Sequence, residues 1–152
     1  MNLSPKTWPI FDRSKWGDLV YDAEDPRRTA AGFALGALVG FTPVLGVHTW
    51  LALALASLLR VPPLASLVGT NLSNPITFIP ITLLEIRVGQ AVLGRPMNLV
   101  PNSFAVADLG NYALAAWMGY LLIAPVVAAV SGMFVHQLLR LAQKRRNLDR
   151  IA

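Results

Sequence analysis

The 152-residue chain contains no cysteine, which removes disulfides, thiol chemistry and cysteine-based metal sites. Charge is scarce as well. Charged residues make up 14% of the chain, against about 25% in soluble domains. Between Arg28 and Arg140 the only charged side chains are Arg60, Glu85, Arg87, Arg95 and Asp108. The two histidines, His48 and His136, lie far apart and form no ligand motif, so no metal site is expected. There is no nucleophile elbow, no phosphate-cradling loop and no histidine pair at zinc spacing. Ser73 has no base within its own segment. The chain therefore reads as a protein that is not an enzyme and that carries no cofactor. No cleavable signal peptide is expected either, because the first apolar run begins only at Thr29, after a heavily charged stretch.

Apolar sequence is plentiful. Hydrophobic residues account for 55% of the chain, and the mean hydropathy is +0.52. Uncharged runs cover 29–59, 61–84 and 109–139, each longer than the ~20 residues needed to cross a bilayer. These features predict an all-α integral membrane protein. Residues 1–28 carry five basic and five acidic side chains, and residues 140–152 carry five basic and one acidic. Acidic residues contribute little to membrane orientation, so the basic residues predict that both termini are cytoplasmic. The sequence pI near 10.2 is accounted for by a basic tail meeting anionic lipid rather than nucleic acid.

Two interruptions divide the apolar sequence. Gly40-Phe41-Thr42-Pro43 breaks the first run, and Leu72-Ser73-Asn74-Pro75 breaks the second. Each sets a small polar residue before proline, the pattern that caps and starts a helix: Thr42 or Asn74 as N-cap, Pro43 or Pro75 as the first helical residue. The pieces on either side of Pro43, about 12 and 15 residues, reach roughly 18 and 23 Å, short of a ~30 Å hydrocarbon core. Three full crossings would put the termini on opposite sides. Two cytoplasmic ends require at least one of the first two segments to be re-entrant, and the sequence leaves open which one. The third segment, about 111–146, predicts one long transmembrane helix containing Pro125.

The organisation expected is an N-terminal cytoplasmic or interfacial segment at 1–28, with a short helix near 13–22, a membrane domain at 29–146 and a basic cytoplasmic tail at 147–152. Residues 94–108, with Pro96, Pro101 and Asn102, read as a polar loop.

Arg28-Thr-Ala-Ala-Gly-Phe-Ala-Leu-Gly36, Gly40-Phe-Thr-Pro-Val-Leu-Gly-Val-His-Thr49 and Gly69-Thr-Asn-Leu-Ser-Asn-Pro-Ile-Thr77 resemble a family of small bacterial membrane proteins catalogued as domain of unknown function 2062 (DUF2062). The resemblance covers most of 25–140 and implies a bacterial inner-membrane location. It brings no assigned activity.

A helix that starts inside hydrocarbon leaves donors that must be buried in protein or face a polar cavity. Paired broken segments are a sequence pointer to a transporter-type site. The candidate binding residues are therefore Thr42, Pro43, Gly46, His48, Thr49, Asn71, Ser73, Asn74, Pro75 and Thr77, with Glu85 and Arg87 along a pathway. Facing helix N-termini attract an anion, and His48, the one ionisable group in the first run, is a candidate proton sensor. The function expected is binding or translocation of an anionic amphiphile, such as a phosphate-bearing lipid carrier, or of a small anion. The alternative is a non-catalytic subunit or scaffold of a larger membrane complex, in which the breaks pack dry and satisfy themselves. So small a body favours a homo-oligomer or a membrane-complex partner, and the small-residue face Gly119, Ala129, Gly132 supports that.

Overall fold

The computed structural model describes residues 25–43, 46–96 and 106–149, and all of its regular structure is helical. The expected interfacial helix near 13–22 and most of the expected loop at 94–108 lie outside the described residues. Five helices follow one another: α1 (Pro26–Gly40), α2 (His48–Leu59), α3 (Pro63–Thr70), α4 (Pro75–Val92) and α5 (Val106–Asp149). The two interruptions fall where the sequence puts them, between α1 and α2 and between α3 and α4.

Asp25 caps α1, its carboxylate accepting from Arg27 N at 2.9 Å, and Pro26 takes the first turn, where its missing N–H is not needed. From there α1 and α3 run side by side in the same direction. Gly32 lies against Pro62 and Ala65, Gly36 against Ser66 and Gly69, and Gly40 against Thr70. The approach is backbone to backbone: a Cβ on Gly36 would sit 1.8 Å from the Ser66 carbonyl oxygen, and one on Gly69 would sit 2.2 Å from that of Phe33. Three glycines at four-residue spacing, facing Ala65, Ser66, Gly69 and Thr70, form the small-residue contact that holds helices together where lipid supplies no hydrophobic drive.

The chain after α1 turns back. Arg60, at the end of α2, has a left-handed backbone (φ 55°), and Val61 N donates to Ala56 O at 3.0 Å, closing the helix in a Schellman-type turn. The Arg28 guanidinium donates to the Arg60 carbonyl, tying the end of α2 to the start of α1. These two helices thus form a hairpin whose arms, 15 and 12 residues long, extend roughly 22 and 18 Å.

The second pair behaves differently. α2 packs on α1 and α3, but α4 does not fold back along α3; its partner is α5. Gly89 lies against Ala115 and Gly119 against Glu85, so α4 and α5 are antiparallel. α4 continues through Pro80 without interruption over 18 residues. α5 has 44 residues and runs unbroken through Pro125. Its first half receives α4, and its second half receives α1, with Gly132 against Ala30 and Ala34.

Of the described helices, α5 is the one long and apolar enough to cross a membrane, over Asp108–Arg145. Its outward side chains, including Trp117, Leu121, Val126, Val130 and Phe134, are exposed. The buried hydrophobic residues, by contrast, are almost all alanine, with Val39 and Phe41 the exceptions. Gly119 and Gly132, expected on a face for partners, are consumed by contacts within the chain, whereas Ala129 stays exposed.

Candidate functional site

The second break is built as the sequence predicts. Asn74 is the N-cap of α4 and Pro75 its first residue. Asn74 Oδ1 accepts from Ile76 N and Thr77 N, both at 2.9 Å, while Thr77 Oγ1 accepts from Asn74 N at 2.9 Å. Thr77 Oγ1 also donates toward Leu72 O at 3.0 Å, and Phe78 N donates to Asn74 O at 2.8 Å. This reciprocal capping box uses every donor of the first turn, because Pro75 has none. Ser73 is buried with its N–H on Thr70 O, and the exposed Asn71 turns its amide back to Leu67 O at 3.0 Å. The start of α4 therefore offers an anion no free N–H.

The first break departs from expectation. Thr42 does not cap a helix beginning at Pro43. Its hydroxyl donates back to Val39 O at 2.8 Å and its N–H to the same oxygen at 3.1 Å, so it closes α1. A hydroxyl bonded three residues back competes with the N-cap role. The chain then needs a further turn, with Gly46 at φ 88°, a conformation open to glycine and strained for other residues. α2 starts only at His48, with Val47 in the cap position and no side chain bonded to its first turn. His48 is half-buried, Thr49 and Gly46 are exposed, and Pro43 is half-buried.

The two breaks are neighbours at their near ends, where Gly40 abuts Thr70. They do not present two open helix starts to one another.

Glu85 and Arg87 part company. Arg87 is exposed, while Glu85 is 0% exposed and neither of its carboxyl oxygens has a hydrogen-bond partner. Beside it the Thr82 hydroxyl is likewise buried and unbonded. Sequence alone does not signal this burial, because it depends on the approach of Gly119 from another helix.

A groove of about 280 Å³ opens between α1 and α5. It is lined by Ala30, Ala31, Ala34, Ala128, Ala129, Gly132 and Met133 together with Arg27 and His136, and the surface it presents is almost wholly apolar. Arg27 is in the first turn of α1, and His136 is one turn before Arg140 on α5. The sequence gives no sign that Arg27 shares a groove with His136, since the two lie 109 positions apart. Among the described residues no group of three or more histidine, cysteine, aspartate or glutamate side chains is arranged to hold a metal.

No curated protein and no solved structure matches the chain. A family model does match, over residues 13–147, and its description is an uncharacterised protein conserved in bacteria. With its two broken helical segments and one candidate membrane span, the chain belongs to that family, DUF2062.

Proposed function

We propose that this protein is embedded in the bacterial inner membrane, where it binds an anionic amphiphile and passes it across the bilayer. The observation that supports this reading is the α1–α5 groove, whose almost wholly apolar, alanine-rich surface suits an acyl or isoprenoid chain and whose lining residues include Arg27 and His136. The contact with the head group is thus assigned to Arg27 and His136 rather than to the breaks. The closed capping box at Asn74 argues for that shift, since it leaves no donor to offer.

The same contacts support a topology for this reading. The α1–α2 hairpin is the re-entrant element, because both arms are shorter than the hydrocarbon core and Arg28 ties them at one end. The α3–α4 segment crosses as a broken helix and α5 returns, so both ends stay on the cytoplasmic side. His48 then sits at the crest of the hairpin, half-buried, at a depth where an ionisable group is functional by default.

The test is binding in detergent followed by transport in vesicles. A phosphate-headed lipid should be retained over a zwitterionic one, and Arg27→Gln with His136→Gln should abolish the discrimination while Asn74→Ser keeps it. Equal retention of both lipids by the unmodified protein would overturn the reading. A second reading, a non-catalytic scaffold in a larger complex, is favoured by the self-satisfied breaks; it expects no lipid discrimination and a stoichiometric protein partner after mild extraction.

A further inference from the structure

Glu85 is the largest fully buried side chain in the described structure. A carboxylate removed from water without a partner is among the most costly groups a protein can bury. The packing around it offers no relief. Among the described helices the main packing partner of α4 is α5. On α5 the titratable groups before His136 are Asp108, Tyr112 and Tyr120, and none is a cation. On α4 itself Arg87 is exposed, and two residues along a helix is the wrong spacing to meet Glu85. Arg95, past the end of α4, donates to Asn111 O at 3.4 Å.

The contact is also tight. A Cβ on Gly119 would sit 1.9 Å from the Glu85 carbonyl oxygen, so the α5 backbone lies directly on this turn of α4. Among the described residues no cation pairs with this carboxyl, and the two helices close on it. A proton is the one counter-charge that needs no extra space.

We propose that Glu85 is a proton-binding site of the membrane domain: neutral while α4 and α5 are closed on each other, and charged only when they part. The Thr82 hydroxyl, one turn earlier on the same helix, is likewise buried without a hydrogen-bond partner. Proton release from the carboxyl and separation of the two helices are then one event. A change in proton concentration on the side to which the contact opens biases that separation. This inference is independent of what the α1–α5 groove binds, because α1 takes no part in it.

The chain has only two glutamates, Glu24 and Glu85. Carbon-13 glutamate incorporated into the Glu24→Gln variant therefore labels Glu85 alone. Infrared spectra of that protein in lipid vesicles at neutral pH should contain the isotope-shifted carbonyl stretch of a protonated acid, and the band should vanish in Glu24→Gln with Glu85→Gln. If the label appears only as carboxylate stretches, the proposal is overturned. Thermal unfolding supplies a second readout. The folded state keeps a proton that the unfolded chain releases, so stability is greatest at acidic pH and is lost as pH rises. The melting temperature of the parent should fall by several degrees across that range relative to Glu85→Gln, whose amide mimics the neutral acid. Parallel pH profiles for the two proteins would also overturn it. The infrared result stands on the Glu24→Gln protein even if Glu85→Gln fails to fold.

Discussion

Replacing Gly119 with alanine puts a methyl carbon 1.9 Å from the Glu85 carbonyl oxygen, 2.5 Å from its carbon and 2.7 Å from its Cα. All three are backbone atoms, so no side chain can swing aside. Ordinary contact begins at 3.4 Å, and reaching it means moving α4 and α5 apart by about 1.5 Å in an interior packed at crystal-like density. Overpacking of this kind costs ~1–3 kcal/mol. For a chain of this size, where 1 kcal/mol moves the midpoint by ~2–4 °C, the melting temperature should fall by roughly 2–12 °C. Gly110 supplies the control. It is on the same helix, but a Cβ there would meet nothing within 4 Å. Gly110→Ala should therefore be neutral, or stabilising by up to about 1 kcal/mol through helix propensity. The assay is loss of helical circular dichroism on heating both variants in the same lipid nanodiscs. Equal shifts for the two alanines would refute the close α4–α5 contact, and with it the account of how Glu85 is buried.

Three further outcomes are expected. Arg60→Gly should raise the melting temperature, because a left-handed backbone costs a residue with a Cβ about 1 kcal/mol and glycine almost nothing; a lower melting temperature would mean that the Arg60 side chain contributes more than its backbone loses. Asn74→Ala should destabilise by about 1 kcal/mol and Asn74→Ser by much less, read from the same melts, since only serine keeps a cap on Ile76 and Thr77; equal losses would show that the capping box is not what starts α4. Single cysteines at Val61 and Leu148, in a chain with none of its own, should both react with an impermeant thiol reagent only after cells are opened; reaction of either in intact spheroplasts would break the hairpin topology.

Much of this architecture is legible in the residues. Asn-Pro with threonine three positions after the asparagine is a start signal that owes nothing to tertiary context, and α4 begins there. Thr-Pro at 42–43 carries the same local signal and fails, because the threonine hydroxyl has an equally near alternative in the last turn of α1. A propensity argument cannot choose between two acceptors on opposite sides of one residue. The spacing of Gly32, Gly36 and Gly40 is visible in the sequence, and it marks the α1–α3 contact that the proline signals obscure. Which of the two broken segments folds back could not be read, since both have the same grammar. The decision lies in Arg60 and Arg28, 32 residues apart. The groove joins residues near opposite ends of the chain, the burial of Glu85 depends on Gly119 from another helix, and no local pattern encodes either.

The alanine interior has a consequence for where this fold can exist. A soluble protein is held shut by the large apolar side chains it hides. Here those side chains face outward, and what is hidden is mostly methyl groups and bare backbone. Little water-exposed apolar area is saved by closing the helices on one another, so water would have no reason to keep them together. In the proposed inner-membrane setting, acyl chains would complete the structure, filling the spaces between outward-facing Trp, Leu and Phe side chains as a core would. Lipid would then be the missing outer layer of the molecule, and its thickness and chain order would set the fit of the fold as directly as a core substitution does in a soluble domain.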